Sequence, residues 1–128
     1  MKEIKVGKEQ TFTHTITEKE LAKVIGSGEV EVYATPMMVA FMEQSAAALI
    51  KEDLDSEETS VGILIHTTHQ AATPCHKTIT CHAKVTAVDR KKVTFQLCAS
   101  DEKEVIGTAV HERVIVNKER FEARAKAK

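Results

Sequence analysis

One carboxylate stands in an otherwise uncharged stretch of the sequence. Between Ala34 and Ile50 the only formally charged side chain is Glu43. On a helical wheel it falls among apolar residues such as Val39 and Ala46. An unpartnered carboxylate on apolar ground is costly or takes up a proton, so its presence indicates use as an acid, base or nucleophile. Alternatively, Glu43 reaches solvent at a subunit edge, or pairs with a histidine or arginine for structure.

A second concentration of reactive side chains lies in the segment HTTHQAATPCHKTITCH. Its histidines and cysteines are His66, His69, Cys75, His76, Cys81 and His82. Zinc binds such ligands, but their spacing matches no finger or ribbon pattern. Adjacent residues such as Cys81 and His82 point to opposite faces of a strand, and the same argument separates Cys75 from His76. Neither a metal site nor a thiol nucleophile is therefore expected, and a small metal-binding protein is kept as an alternative.

The composition narrows the classes of partner. With 18 basic and 19 acidic residues, the chain has no positive field that would attract nucleic acid or an anionic membrane. No apolar signal or membrane-spanning segment is visible, and three cysteines without a CxxC pair fit reduced thiols. We expect one cytoplasmic domain over residues 1–128, with a charged tail from residue 117.

The first half of the chain predicts two strands and two helices. Residues 8–17 alternate as in a strand, and residues 17–28 are typical of a short helix that ends at glycine. A short strand is expected around Val30 to Tyr33. Thr35 and Pro36 then predict a helix start, with the threonine hydroxyl as cap, and this long helix should run to Lys51.

The second half predicts four strands in the runs TSVGILIHTTHQA, KTITCHAKVTAV, KKVTFQLCAS and EVIGTAVHERVIV. Their short turns favour an antiparallel meander. The long helix is apolar almost all round, so a curved sheet should cover one side and a second subunit the other. The expected class is therefore α+β, with the sheet wrapped around a central helix.

The order of these motifs resembles a known family. The segments TPMMVAFMEQSAAALI, ETSVGILIHTTHQAATP and GTAVHERVIVNKERF are similar to the hotdog-fold acyl-CoA thioesterases of the fluoroacetyl-CoA thioesterase type. The similarity runs from residue 10 to residue 121. It implies a hotdog fold and hydrolysis of acyl-CoA to free acid and CoA without a cofactor. It also implies a homodimer, or a tetramer of paired dimers.

The resemblance also implies a set of site residues. The family builds its site from a threonine–proline helix entry, a glutamate eight residues later, a glycine on the next strand and a histidine near the end of that strand. These positions correspond here to Thr35, Glu43, Gly62 and His69. An arginine on the last strand, near the coenzyme in the family, corresponds to Arg113.

Thioester hydrolysis gives each of these residues a possible role. The reaction requires a nucleophile or activated water, a general base, and hydrogen-bond donors for the oxyanion. A glycine weakens a strand unless its backbone is approached closely, so the Gly62 amide is the expected oxyanion donor, with a bulge or close helix packing as the alternative. His69 would transfer a proton, and Glu43 would orient it, attack the thioester or activate water. A structural core histidine is the alternative for His69.

Two roles depend on distances that the sequence does not give. A capping Thr35 would lie about 12 Å along the helix axis from Glu43, so Thr35 is expected to assist a Glu43 and His69 pair, or only to cap. Arg113 would bind a coenzyme phosphate, or pair with a neighbouring acid such as Glu112 or Glu104.

The segment before the threonine–proline motif departs from the family. The member that discriminates fluoroacetate carries phenylalanines in a lid there, whereas VIGSGEVEVY has Gly26 and Glu29 at those positions. Tyr33 is its only aromatic residue and is expected to contact the substrate. Glycine and glutamate do not build a dry pocket over a small acyl group, so fluorine selectivity is not expected. A short-chain acyl-CoA is the expected substrate, and a non-catalytic acyl-CoA or CoA-binding module is the alternative.

Overall fold

A five-stranded antiparallel sheet curves around one long helix in the computed structural model, which describes residues 1–128. The strands are β1 (Glu9–Thr15), β2 (Glu58–His69), β3 (Thr78–Asp89), β4 (Lys92–Ser100) and β5 (Val105–Asn117). The α-helices are α1 (Ala22–Ile25), α2 (Thr35–Ile50) and α3 (Lys118–Lys126), with 3₁₀ turns at Glu18–Glu20 and Lys51–Asp53. The predicted α+β class and the sheet around a central helix are confirmed.

The strand order differs from the predicted meander. Strands β3, β4 and β5 are sequential neighbours, but β2 pairs with β5, and the order is β1-β3-β4-β5-β2. The prediction was wrong for β2 because residues 70–77 separate it from β3. That connection is longer than a typical hairpin loop, which has two to five residues, and the chain crosses to the far edge instead. Strand β2 is thus an open edge of the sheet.

The core lies between α2 and the concave face of the sheet. Val93, Phe95, Leu97 and Ala99 all face it and are fully buried, as the alternating pattern of β4 predicts. From α2 the buried side chains include Met38, Phe41, Met42, Ser45 and Leu49, which form one stripe along the helix. The sheet therefore covers one side of the helix.

Helix α2 begins one residue earlier than a threonine cap would require. The N-cap is Ala34, in an extended conformation, and its carbonyl accepts from the backbone N–H groups of Met37 and Met38. Thr35 is the first helical residue, so its predicted capping role is wrong. Pro36 lies in the first turn, where its missing N–H has no intrahelical partner to lose. The threonine hydroxyl is consequently available for another bond.

The short helix predicted over residues 17–28 is divided in two. The 3₁₀ turn Glu18–Glu20 is separated from α1 by extended Leu21, which bridges Tyr33 across the chain. The short strand predicted before Tyr33 reduces to that bridge. Helix α1 ends at Gly26, whose φ of 85° is left-handed and favours glycine.

The tail forms helix α3, as expected for a charged helical end. The Asn117 side chain caps it by accepting from the Arg120 N–H at 3.0 Å. All its residues are exposed. None of the helices has both the length and the apolar character required to cross a membrane.

Gly107→Ala should destabilise the fold. A methyl group at Gly107 would lie 2.5 Å from the Thr68 carbonyl oxygen and 2.7 Å from the Met38 sulfur. Since a backbone oxygen in β2 cannot move aside cheaply, we expect a loss of about 1–3 kcal/mol in the free energy of unfolding. Denaturant unfolding measures this loss. Gly28→Ala is the control, because its methyl would meet the Ala22 Cβ at an ordinary 3.5 Å. Equal stability of the two variants would contradict the packing argument.

Candidate active site

The first turn of α2 meets the end of β2. Thr35 opens the helix and His69 closes the strand, and the Thr35 Oγ1 lies 2.8 Å from the His69 Nδ1. The ring of Tyr33 packs edge-on against the imidazole, with 6.5 Å between ring centroids. A hydroxyl within hydrogen-bond reach of an imidazole is the arrangement in which a base orients or activates that hydroxyl.

The second ring nitrogen of His69 has no partner. Nε2 is buried and makes no hydrogen bond within the chain. Burial lowers the pKa of His69, and the backbone of Ala71 opposes that shift only in part. An unsatisfied buried polar atom costs about 1–3 kcal/mol. A hydrogen bond between Nε2 and a ligand or a second chain would therefore be favourable.

A cleft of about 300 Å³ opens beside this pair. The residues that shape it are Ala22, Val30, Val32, Tyr33, Thr35 and His69. Its wall is mainly apolar, and the hydroxyl and imidazole stand at one side. Such a cleft suits a small apolar group whose reacting atom must reach polar side chains. A larger groove of about 390 Å³ lies along α3 and contains none of the predicted site residues.

Tyr33 contributes its ring to the cleft rather than its hydroxyl. The side chain is buried, and the hydroxyl donates to the Met37 carbonyl at 3.1 Å. Burial raises the pKa of Tyr33, so the phenol stays protonated. A substrate contact by Tyr33 would therefore be made by its ring.

Glu43 of α2 belongs to a second cluster, which it forms with residues of β2 and β5. Its Oε2 lies 3.3 Å from the Arg113 Nη1, and a methyl group at Gly62 would be 2.7 Å from that same oxygen. The Glu43 side chain is 42% exposed in the single chain. The acid is therefore partnered and half-exposed, and its charge does not sit alone on apolar ground.

The expected hydrogen-bonded pair of Glu43 and His69 is not present within one chain. Gly62 and His69 are seven residues apart on β2, which corresponds to about 23 Å of extended strand. The structure pairs His69 with Thr35 at one end of β2 and places Glu43 beside Gly62 nearer the other. One chain thus carries two separate side-chain clusters, Thr35 with His69 and Glu43 with Arg113, rather than one compact constellation.

Arg113 is held by four hydrogen bonds. It is 8% exposed, and it faces Gly62 across the β2–β5 ladder. Its Nε donates to the Ser60 Oγ at 2.8 Å and its Nη2 to the Ser60 carbonyl at 3.0 Å. Its Nη1 donates to Glu43 and, at 3.2 Å, to the His111 Nε2. Four of the five guanidinium N–H groups are thereby engaged, which leaves one for a ligand.

The structure corrects the proposed neighbours of this arginine. Arg113 pairs with Glu43 and not with Glu112 or Glu104, because Glu112, the adjacent strand residue, points to the opposite face and pairs with Lys92 at 3.4 Å. Burial lowers the pKa of Arg113, and the Glu43 carboxylate opposes that shift.

Sequence reasoning missed Ser60 and His111. The available signal was the two-residue period of a strand, which places His111 on the same face as Arg113, and Ser60 on the same face as Gly62. The pairing of β2 with β5 was also needed to bring Ser60 and His111 to the same part of the sheet. The predicted meander excluded that pairing.

In the histidine and cysteine segment, the predicted divergence of adjacent side chains holds for Cys81 and His82 but not for Cys75 and His76. Cys81 is fully buried while the His82 side chain is 44% exposed, as expected of opposite strand faces. Cys75 and His76, however, lie in a turn in which His76 has a φ of 70°. The argument that their side chains diverge was wrong, since their ligand atoms and a Glu18 oxygen lie within 4.8 Å of one another. His76 and Glu18 in this trio are largely exposed.

Two comparisons with known proteins point to the same family. The family model described as fluoroacetyl-CoA-specific thioesterase matches residues 16–119. The chain is 35% identical over 98 residues to the fluoroacetyl-CoA thioesterase of Streptantibioticus cattleyicolor, a span of 77% of this chain and 70% of that protein.

Solved structures show the same likeness. The fluoroacetyl-CoA thioesterase FlK superposes with a TM-score of 0.93 at 28% identity and covers 98% of both chains. A mutant of FlK in complex with fluoroacetate and CoA gives a TM-score of 0.88 at 28% identity, with 92% of this chain and 99% of that chain covered. A thioesterase superfamily member from Thermus thermophilus gives 0.90 at 26% identity, with 99% and 94% covered.

The titration of His69 tests the burial of its ring. We expect a folded-state pKa below the ordinary 6.5, because burial disfavours the imidazolium. The unfolded chain then binds the proton more tightly, so the contribution of His69 to stability is complete above about pH 6.5 and is lost as the pH falls. NMR of the ring protons from pH 4 to 8 measures the midpoint, with His69→Gln to assign the signal. A midpoint at or above 6.5 would contradict the burial.

Proposed function

Because the chain belongs to the fluoroacetyl-CoA-specific thioesterase family, and is thus a thioester hydrolase that acts on acyl-CoA, we propose that it hydrolyses short-chain acyl-CoA to the free acid and CoA. The observation that carries the proposal is the Thr35–His69 hydrogen bond at the side of an apolar cleft. An acyl chain in that cleft would place its carbonyl near the hydroxyl and the imidazole. The modest volume of the cleft favours a short acyl group.

The residues divide the chemistry of hydrolysis between them. One water is consumed: its oxygen ends on the acyl carbon, the C–S bond breaks, and the sulfur leaves as the CoA thiol. His69, held by Thr35, is the proton-transfer group, and neutral imidazole is a competent base near pH 7. The Glu43 carboxylate either activates the water directly, or attacks the carbonyl carbon and expels the thiolate. In the second case water then cleaves the acyl–glutamyl anhydride, which releases the acid and restores the carboxylate. Thr35 assists by holding the ring.

Gly62 is the proposed oxyanion donor. The β2–β5 register shifts between Gly62 and Leu64, and such bulges re-aim backbone groups beside active sites. The absence of a side chain at Gly62 also gives the Glu43 carboxylate its place, since a Cβ would collide with it. A backbone N–H beside the attacking group is suited to the developing negative charge.

The Thr35–His69 cluster and the Glu43–Arg113 cluster would form one site in a homodimer. Strand β2 is an open edge with exposed Ile63 and Leu64. Exposed apolar residues on an unpaired edge favour pairing with another strand. If two β2 strands pair antiparallel about a twofold axis between Ile65 and His66, Gly62 of one subunit lies opposite His69 of the other. Glu43 would then reach the unpartnered Nε2 of His69 across the interface.

A panel of acyl-CoA substrates tests the substrate class. We expect hydrolysis of acetyl-CoA and fluoroacetyl-CoA with kcat/KM values within about tenfold of each other, because the lid carries Gly26 and exposed Glu29, with Tyr33 as its only aromatic residue. Thiol release with acyl chains of increasing length measures the preference. Strong selectivity for fluoroacetyl-CoA would refute the argument from the lid. Hydrolysis of no thioester, with CoA still bound, would indicate the non-catalytic module.

Mixing two inactive variants tests the composite site. Glu43→Gln and His69→Ala should each lower hydrolysis by about 10²-fold or more. If each site takes Glu43 from one subunit and His69 from the other, a heterodimer of the two variants contains one intact site. Co-refolded equal mixtures should then recover about a quarter of wild-type activity.

The control for this experiment is each variant refolded alone. If both residues of a site come from the same subunit, every site in the mixture has one defect and no activity returns. Sedimentation of the wild-type chain provides the independent measure of dimer formation.

A further inference from the structure

We propose that His111 is a positioning residue, a neutral hydrogen-bond acceptor that holds the Arg113 guanidinium against the Glu43 carboxylate. The inference rests on the proposed role of Glu43 in hydrolysis. His111 is 1% exposed and does not line the cleft, so the bond to Arg113 is what links it to Glu43.

Its two hydrogen bonds define one tautomer. The Nδ1 lies 2.7 Å from the Leu64 carbonyl oxygen, which can only accept, so Nδ1 carries the hydrogen. The Nε2 lies 3.2 Å from the Arg113 Nη1, which can only donate, so Nε2 carries none. The ring therefore connects a backbone carbonyl of β2 to the guanidinium on β5.

The surroundings keep this ring neutral. It stacks on Phe95 of β4, with 5.9 Å between centroids and 30° between planes. The charged groups that face it are Arg113 on β5 and Glu43 on α2, while β2 presents the Leu64 carbonyl. Burial, and then the charge of Arg113, lower the pKa of His111, and Leu64 and Glu43 oppose them. A proton on Nε2 of His111 would point at an N–H group of Arg113.

The position of Glu43 depends on this contact. Ser60 fixes Nε and Nη2 of the guanidinium, and His111 and Glu43 share Nη1. Without the acceptor, Nη1 has no bond on the His111 side and the guanidinium can turn within its pocket. The carboxylate, which is half-exposed, would then lose its fixed orientation. A misplacement of about 1 Å near the reacting atoms can cost 10²-fold in rate.

Two substitutions separate positioning from packing. His111→Phe keeps a ring against Phe95 but removes both hydrogen bonds, and His111→Gln offers an amide oxygen to Arg113. We expect the phenylalanine variant to lower kcat by about ten- to 100-fold with KM within about threefold. The glutamine variant should recover most of kcat. His82→Gln, a change at an exposed histidine, is the matched control and should leave both constants unchanged.

The outcomes decide between the possible roles. An equal loss of kcat in the phenylalanine and glutamine variants would overturn the acceptor role. A rise in KM at constant kcat would also overturn it, because it would assign Arg113 to coenzyme binding. If the wild-type chain hydrolyses no thioester, the proposed function fails. Long-range ¹⁵N–¹H NMR at pH 7 still tests the ring, and protonation at Nε2 would overturn the tautomer.

Discussion

The pairing of β2 with β5 is the constraint on which the candidate site depends. It places Gly62 opposite Arg113 and brings the Leu64 carbonyl to the ring of His111. Without this ladder, Arg113 would be an ordinary strand arginine with acidic neighbours. Within the ladder, the buried polar groups depend on one another for their hydrogen bonds. Four such bonds fix the Arg113 guanidinium, which Ser60 alone would hold on one side only.

Helix α2 supplies the other half of each cluster. Thr35 in its first turn meets His69, and Glu43 two turns later meets Arg113. The helix therefore holds Thr35 at the end of β2 and Glu43 beside Gly62 of the same strand, and its length keeps Glu43 apart from His69 within one chain. In the proposed dimer, antiparallel pairing of two β2 strands about a twofold axis would close that separation.

Local patterns in the sequence predicted most of the fold. The four strand-like runs of the second half all form strands, and the threonine–proline pair located the start of α2 to within one residue. The partner of β2 was predicted wrongly because strand pairing over about 50 residues leaves no local signal. For the same reason the Glu43–Arg113 bond, and the role of His111 beside it, could not be derived from residue type alone.

The cap of α2 has a further consequence. Since the Ala34 carbonyl and the proline in the first turn complete the helix start, the side chain at position 35 carries no part of that task. Its hydroxyl bonds the His69 imidazole instead. Natural variation or laboratory engineering at this position would therefore be felt where the helix touches the strand, while the length of the helix stays the same.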